Sequence, residues 1–244
     1  KYDLFLKIKK DAPNKSLIPY RIARVNVFSN YTLGSDSTAL DTFLVNDKNY
    51  IRAEPYFRAD RLDPFILIQK GDLYNAEKSS GTSRRLGSTG AYKFVNITYD
   101  ELESPRDSLG SLVASIYLSP LNKRAIRVQL QAVTKSNNFS GPSLSITYSN
   151  RNLFRGGEIL NFTGRAGYET QLRRRNEPGL NSLQLSLESS LIFPRVILPI
   201  SINTDWFDYS IPKTRMSLGG EYISRTNLFS MSSVSMAYGF FWSG

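Results

Sequence analysis

The segment from Ala125 to Tyr168 constrains the fold of this chain more than any other. Leu144, Ile146 and Tyr148 alternate with Ser145, Thr147 and Ser149. After the turn Asn150-Arg151-Asn152-Leu153-Phe154-Arg155-Gly156-Gly157-Glu158, the residues Leu160, Phe162, Gly164, Ala166 and Tyr168 alternate with Asn161, Thr163, Arg165 and Gly167. Successive side chains on a strand point to opposite faces, so each strand has one apolar and one polar face. In a soluble sheet the apolar face packs a core. In a membrane barrel it faces lipid and the polar face lines the lumen. Alternation alone fits both.

The period persists to the end of the chain. Strands are predicted at 125–133, 143–150, 158–171, 182–193, 213–223 and 232–242, separated by turn formers such as Asn137-Asn138, Gly156-Gly157, Asn176-Glu177-Pro178-Gly179 and Thr226-Asn227. The polar phase carries Arg127, Arg165, Glu169, Glu188, Arg215 and Glu221. A water-filled lumen accommodates that many charges more readily than a soluble sandwich does. Aromatic residues gather near the predicted strand ends (Phe154, Tyr168, Phe193, Trp206, Phe207, Tyr209, Tyr222, Phe229, Phe240, Phe241 and Trp242), as interfacial girdles do; filling of an ordinary core is the competing explanation. On the membrane reading Leu144, Ile146, Tyr148, Leu160, Phe162, Leu183, Leu185 and Leu187 face lipid.

Ahead of these strands the pattern differs. Tyr2–Ile8 and Arg21–Phe28 read as strands, the latter with Ile22 (or Ala23), Val25 and Val27 as apolar members. A polar, Asp- and Ser-rich insert runs over 29–47. Asp72 is the expected N-cap of a helix to about Leu86, with Gly81 a weak point and Gly87 and Gly90 its end. Two strands follow, 92–99 and 111–118, joined across Ser104, Pro105, Asp107 and Gly110. Strand, helix, strand, strand makes a small α+β unit. Val25, Val27, Leu73, Leu86, Phe94, Val95 or Ile97, Val113 and Ile116 are its expected core, and Pro120 and Asn122 mark its boundary.

With 31 Lys+Arg against 21 Asp+Glu the chain carries a formal charge of +10. Its only dense basic tracts are Lys7-Lys9-Lys10 and Arg173-Arg174-Arg175, and no nucleic-acid motif accompanies them, so nucleic acid is not an expected partner. Anionic lipid or lipopolysaccharide phosphate is the better match for the excess, with a solvated face lacking any partner as the plain alternative. The absence of Cys and His removes disulfides, zinc sites, thiol nucleophiles and imidazole acid–base chemistry. No enzyme activity, metal or cofactor is expected. No apolar run reaches the 18 residues of a spanning helix, so any membrane crossing is by strands.

These residues resemble one family, the BamA/TamA outer-membrane insertases, in which periplasmic POTRA modules precede a barrel. Lys70-Gly71-Asp72-Leu73-Tyr74-Asn75, Arg85-Leu86-Gly87 and Tyr92-Lys93-Phe94-Val95-Asn96-Ile97 look like the helix and second strand of a POTRA module. Asn150–Glu158 looks like the periplasmic hairpin between the second and third barrel strands, and Ser186-Leu187-Glu188 to Phe193-Pro194 like the end of the fourth. The insert at 29–47 and Arg195-Val196-Ile197-Leu198-Pro199 look most like the Bacteroidota TamA-like lipoproteins, whose acylated cysteine would have to precede Lys1.

The resemblance implies an α+β POTRA module followed by antiparallel transmembrane β-barrel strands. It divides the chain into the final strand of a preceding module (1–12), one POTRA module (18–121) and the first six barrel strands (124–244). It implies a Gram-negative outer-membrane protein of the surface-antigen type, with the POTRA module in the periplasm. Its partners would be unfolded outer-membrane clients, the lipid bilayer with lipopolysaccharide, and accessory assembly subunits. Ile126, Val128, Leu130 and Ala132 on the first barrel strand would form the seam that pairs client strands. The family barrel has about sixteen strands, which at roughly 10 residues per strand plus turns needs well over about 300 residues past residue 124. Six strands cannot close, so the remainder is expected beyond Gly244 or in another chain, and Lys1 reads as an internal start. A two-partner secretion transporter shares this architecture, and a soluble α+β or β-sandwich binding protein is the rival of a different class.

Overall fold

The computed structural model describes residues 18–32, 41–52, 56–102, 109–136, 138–171, 180–198 and 211–242. The expectations for 1–12, the two basic tracts, the middle of the 29–47 insert, the turn residues 104–107 and 176–179, and Trp206, Phe207 and Tyr209 lie outside them. The chain packs as two units. One holds the residues up to Leu86 together with Phe94–Pro120, the other Gly87–Lys93 with Leu121 onward.

The first unit is built on a five-stranded sheet in the order β2-β3-β1-β5-β4, with β1 Tyr20–Phe28, β2 Asp41–Val45, β3 Lys48–Arg52, β4 Tyr92–Leu102 and β5 Gly110–Pro120. β1 runs parallel to both β3 and β5. A register shift between Ile22 and Arg24 is a bulge at Ala23. It explains how Ile22 and Val25, three residues apart, are both buried, at 2% and 0% exposure; the sequence alone leaves Ile22 and Ala23 as alternatives.

The β2–β3 hairpin is an addition to the sequence reading, which took the residues up to 47 as insert and assigned no strand to 48–52. Its turn residues Asn46 and Asp47 both have positive φ (48° and 59°), the backbone of a type I′ hairpin turn that Asn and Asp tolerate. The hairpin is fixed by a buried ion pair. Lys48 Nζ donates to Asp63 at 2.8 Å, and Tyr50 Oη and Asn46 Nδ2 donate to the same carboxylate.

Between β3 and β4 lie a one-turn helix α1 (Ala59–Leu62), a 3₁₀ turn Asp63–Phe65 and α2 (Ala76–Ser88). The α2 cap is Asn75, not Asp72: Asn75 Oδ1 accepts from the backbone N–H of Glu77 at 2.7 Å, while the Asp72 side chain pairs with Lys78. Gly81 is a packing position. A Cβ there would stand 2.9 Å from Leu67 Cδ1, and one residue on Thr82 Oγ1 accepts from the Leu67 N–H at 3.0 Å.

Val25, Val27, Leu86 and Ile116 are fully buried as expected. Leu73 (56% exposed) and Phe94 (63%) are not core. Leu73 sits in a bridge alongside Arg21 with its side chain outward, and Phe94 occupies the outer strand β4. Their places are taken by Tyr50, Phe57, Leu62, Phe65, Ile66, Ile68, Ala114 and Leu118, so the core is shared between sheet and helical segment.

The second unit is a six-stranded antiparallel meander in chain order: β6 Arg124–Thr134, β7 Phe139–Arg151, β8 Ile159–Gln171, β9 Asn181–Phe193, β10 Lys213–Arg225 and β11 Phe229–Phe241. β6 and β11 are its two edges and do not pair with each other, so the sheet is open. Among the described residues no helix is long and apolar enough to cross a membrane.

Candidate functional site: a two-faced sheet with a free edge

Residues directly opposite across an antiparallel ladder share a face, so the register settles which side chains lie together. One row runs Val128, Ile146, Gly164, Leu187, Gly220, Val234; the next runs Leu130, Leu144, Ala166, Leu185, Tyr222, Ser232; a third runs Ile126, Tyr148, Phe162, Ser189, Leu218, Met236. Leu160 and Leu183 fall in phase with them, as does Ala132. All the side chains assigned from the sequence to lipid contact or to the seam therefore stand on one face. The opposite face carries Arg127, Thr147, Thr163 and Glu188 in one row, and Gln129, Ser145, Arg165, Ser186 and Glu221 in the next.

The accessibility of the two faces is inverted relative to a soluble sheet. Along β9, Leu183, Leu185 and Leu187 are exposed at 38%, 42% and 66%, whereas Gln184, Ser186 and Glu188 between them are half-buried and Ser190 is buried. β7 repeats this, with Leu144 and Ile146 exposed and Ser143, Ser145 and Thr147 half-buried. Curvature accounts for it. Arg127 of β6, Thr147 of β7, Arg165 of β8, Glu188 of β9 and Arg215 of β10 line a single concavity of about 550 Å³, so the sheet bends with its polar face inward. On the apolar side Gly164, Ala166 and Gly220 leave a depression of similar volume, about 570 Å³, that is more widely open, beside Leu187 and Tyr222.

The polar face is laced together. Thr147 and Thr163 hydroxyls meet at 3.1 Å, Ser149 Oγ donates to Asn161 Oδ1 at 2.7 Å, and Gln184 Nε2 donates to Glu221 at 2.6 Å. Arg165 and Glu188 approach to 3.7 Å, and Lys135 bridges to Glu169 at 2.6 Å. Arg127 and Arg215 make no ion pair among the described residues.

The β7–β8 turn is more elaborate than its sequence suggests. Asn152 and Arg155 take positive φ (both 60°), as does Gly157 (82°). Glu158, 1% exposed, turns back into the turn: its Oε2 accepts from the N–H of Gly156 at 2.9 Å and of Phe154 at 3.3 Å, and its Oε1 pairs with Arg195 at 3.0 Å. Asn152 Oδ1 accepts from the Gly157 N–H at 3.0 Å. A Cβ on Gly156 would stand 2.5 Å from Glu158 Oε1, so a larger residue there would have to displace the carboxylate from the turn. Sequence reasoning missed Glu158 and Arg195 as a pair, because nothing in local spacing joins residues on opposite sides of β8 and β9. It also missed Phe139, which is buried at the far end of the sheet under the Arg225 guanidinium, 5.4 Å from its ring centroid.

Among the described residues β6 has a free backbone edge, along which Ile126, Val128 and Leu130 are 71%, 63% and 77% exposed. No described strand pairs with the outer side of β11 either, where Val234 and Met236 are both 84% exposed. Among the described residues no group of three His, Cys, Asp or Glu residues could hold a metal ion.

No protein-family model matches the chain, and no curated protein matches it. Solved structures are similar to it, two of them as follows. The crystal structure of BamA from Haemophilus ducreyi lacking POTRA domains 1-3 aligns with a TM-score of 0.35 at 11% identity, covering 83% of this chain and 48% of that one. CdiB from Acinetobacter baumannii aligns with a TM-score of 0.38 at 9% identity, covering 91% and 58%. The chain thus spans about half the length of these structures.

Proposed function

We propose that the six-stranded sheet is a segment of an outer-membrane β-barrel, and that the protein inserts β-barrel clients by strand pairing at the β6 edge. The inverted burial carries this reading. In water, leaving Leu144 of β7 and Leu183, Leu185 and Leu187 of β9 more accessible than the serines and glutamine beside them opposes the hydrophobic effect. In a bilayer, the same arrangement puts apolar side chains in lipid and polar ones in the lumen. Strand length agrees: at about 3.3 Å per residue the 13 residues of β7 reach roughly 43 Å, which a tilt near 45° reduces to about the 30 Å of a hydrocarbon core. On the same reading the first unit is a periplasmic POTRA module.

The mechanism asks nothing of a catalytic side chain, and we propose no enzyme activity. The backbone N–H and C=O groups of β6 offer a ladder to an incoming strand, so one edge serves clients of unrelated sequence. Two measurements test this. Spin-labelled lipid should quench a fluorophore on Leu185→Cys and leave one on Ser186→Cys unaffected; equal quenching sinks the barrel assignment. A photocrosslinker at Val128 should capture the terminal strand of a stalled outer-membrane client, and Val128→Pro, which removes a ladder donor, should block insertion where Val128→Ala does not. Crosslinks to a soluble secreted client, made only from lumen-facing positions, would assign the two-partner secretion role instead.

A further inference from the structure

The concavity on the polar face is strongly basic at the end nearest the β7–β8 turn. Arg127, Arg151, Arg165 and Arg215 line it, and Glu188 is the one carboxylate among its lining residues. Glu188 lies within 4 Å of Arg165, and Arg151 donates to the carbonyl of Asn122 at 3.2 Å. Arg127 and Arg215 reach into the concavity from β6 and β10, both well exposed and without an ion pair among the described residues. Guanidinium groups stay charged at any physiological pH and present paired N–H donors that match a carboxylate or phosphate. Repulsion among such cations is relieved when an anion enters between them.

We propose that this concavity binds a carboxylate-bearing, extended polypeptide segment, held between Arg127 and Arg215. The inference rests on the barrel reading, under which this face is turned away from lipid and lipid phosphate does not reach it. The position of Arg127 favours a polypeptide over a small anion. It stands on the free-edge strand itself, and Gln129 and Gln131 follow it on the same face. Three strands separate β6 from β10, so an extended segment with several carboxylates can meet Arg127 and Arg215 together across the concavity, a reach that a single small anion lacks.

The test uses the full chain in detergent micelles with fluorescein-labelled hexaglutamate, hexaglutamine and hexalysine, read by anisotropy. Hexaglutamate should bind and the other two should not. The double variant Arg127→Gln/Arg215→Gln should weaken hexaglutamate at least fivefold. Arg24→Gln/Lys70→Gln removes the same charge from exposed positions on the other unit and should change it less than twofold. Equal losses in the two pairs, or none in either, overturn the site. Displacement of hexaglutamate by inorganic phosphate at matched charge concentration as efficiently as by unlabelled hexaglutamate overturns the polypeptide occupant. Unchanged far-ultraviolet circular dichroism certifies the fold of the variants. Lipid quenching at Leu185→Cys reports separately on the barrel, so failure of the site and failure of that reading are distinguishable.

Discussion

The two sheets of this protein obey the same period-two pattern and end in opposite arrangements. In the first unit Val25, Val27, Ala114, Ile116 and Leu118 are all at 0% exposure, because a helical segment contributing Leu62, Phe65 and Leu86 shares their core. In the second, apolar side chains of the same chemistry are 38–84% exposed on strands more than twice as long as β2 and β3, with no described element over them. Hydrophobic alternation therefore specifies a face and not its environment. What the face meets depends on whether the chain supplies a second layer.

Charge pairing makes the sharpest break between the units. Lys48 and Asp63 are buried together, with side chains 4% and 13% exposed. Asp63→Ala strands a buried ammonium and should cost about 3–5 kcal/mol. Arg165 and Glu188, 54% and 41% exposed at 3.7 Å, should lose no more than about 1 kcal/mol on Arg165→Gln. Pulse proteolysis across a denaturant series, with fragments mapped to each unit, measures both.

Core truncation probes the same contrast. Ile116→Ala should destabilise the first unit by about 2–5 kcal/mol, whereas Leu187→Ala, 66% exposed, should stay within about 0.5 kcal/mol in the same assay. Comparable losses would mean that something packs on the apolar face of the long sheet. Charge insertion there is the converse experiment. Leu185→Arg should cost about 2–4 kcal/mol in lipid near the midplane, and Ser186→Arg should be tolerated; denaturant titration in lipid vesicles separates them.

The smallest effect expected is a pH dependence confined to the first unit. Burial raises the pKa of Tyr99, whose hydroxyl bonds with Ser79 and whose ring meets Tyr74 edge-on at 4.9 Å. A phenol held neutral in the folded state contributes stability that is full below the unfolded value near 10 and is lost as pH rises through the folded one. Alkaline melts should therefore fall more steeply for the native chain than for Tyr99→Phe.

All six long strands were legible in the sequence within a few residues, and so were the shared phase of their apolar members and the β7–β8 turn. Each follows from the pleat and from local turn chemistry. The β2–β3 hairpin was not read from the sequence, because the polar, Asp- and Ser-rich composition around Phe43 and Val45 gave no alternation to follow. Leu73 and Phe94 were misassigned to the core because an apolar residue on a lone strand carries no record of which neighbour covers it.

By itself the sequence determined that this protein is built on strands, where they start and turn, and which side chains share a face. Only the tertiary structure decided that Ile22 and Val25 bury together across a bulge, that Asp63 receives Lys48, that Glu158 and Arg195 close on one turn, and that the polar face is the concave one. The reason is the range of the forces. Steric alternation and turn preferences act over a few bonds and are written in neighbouring letters, whereas burial, ion pairing and curvature join residues that meet only when strands find their register.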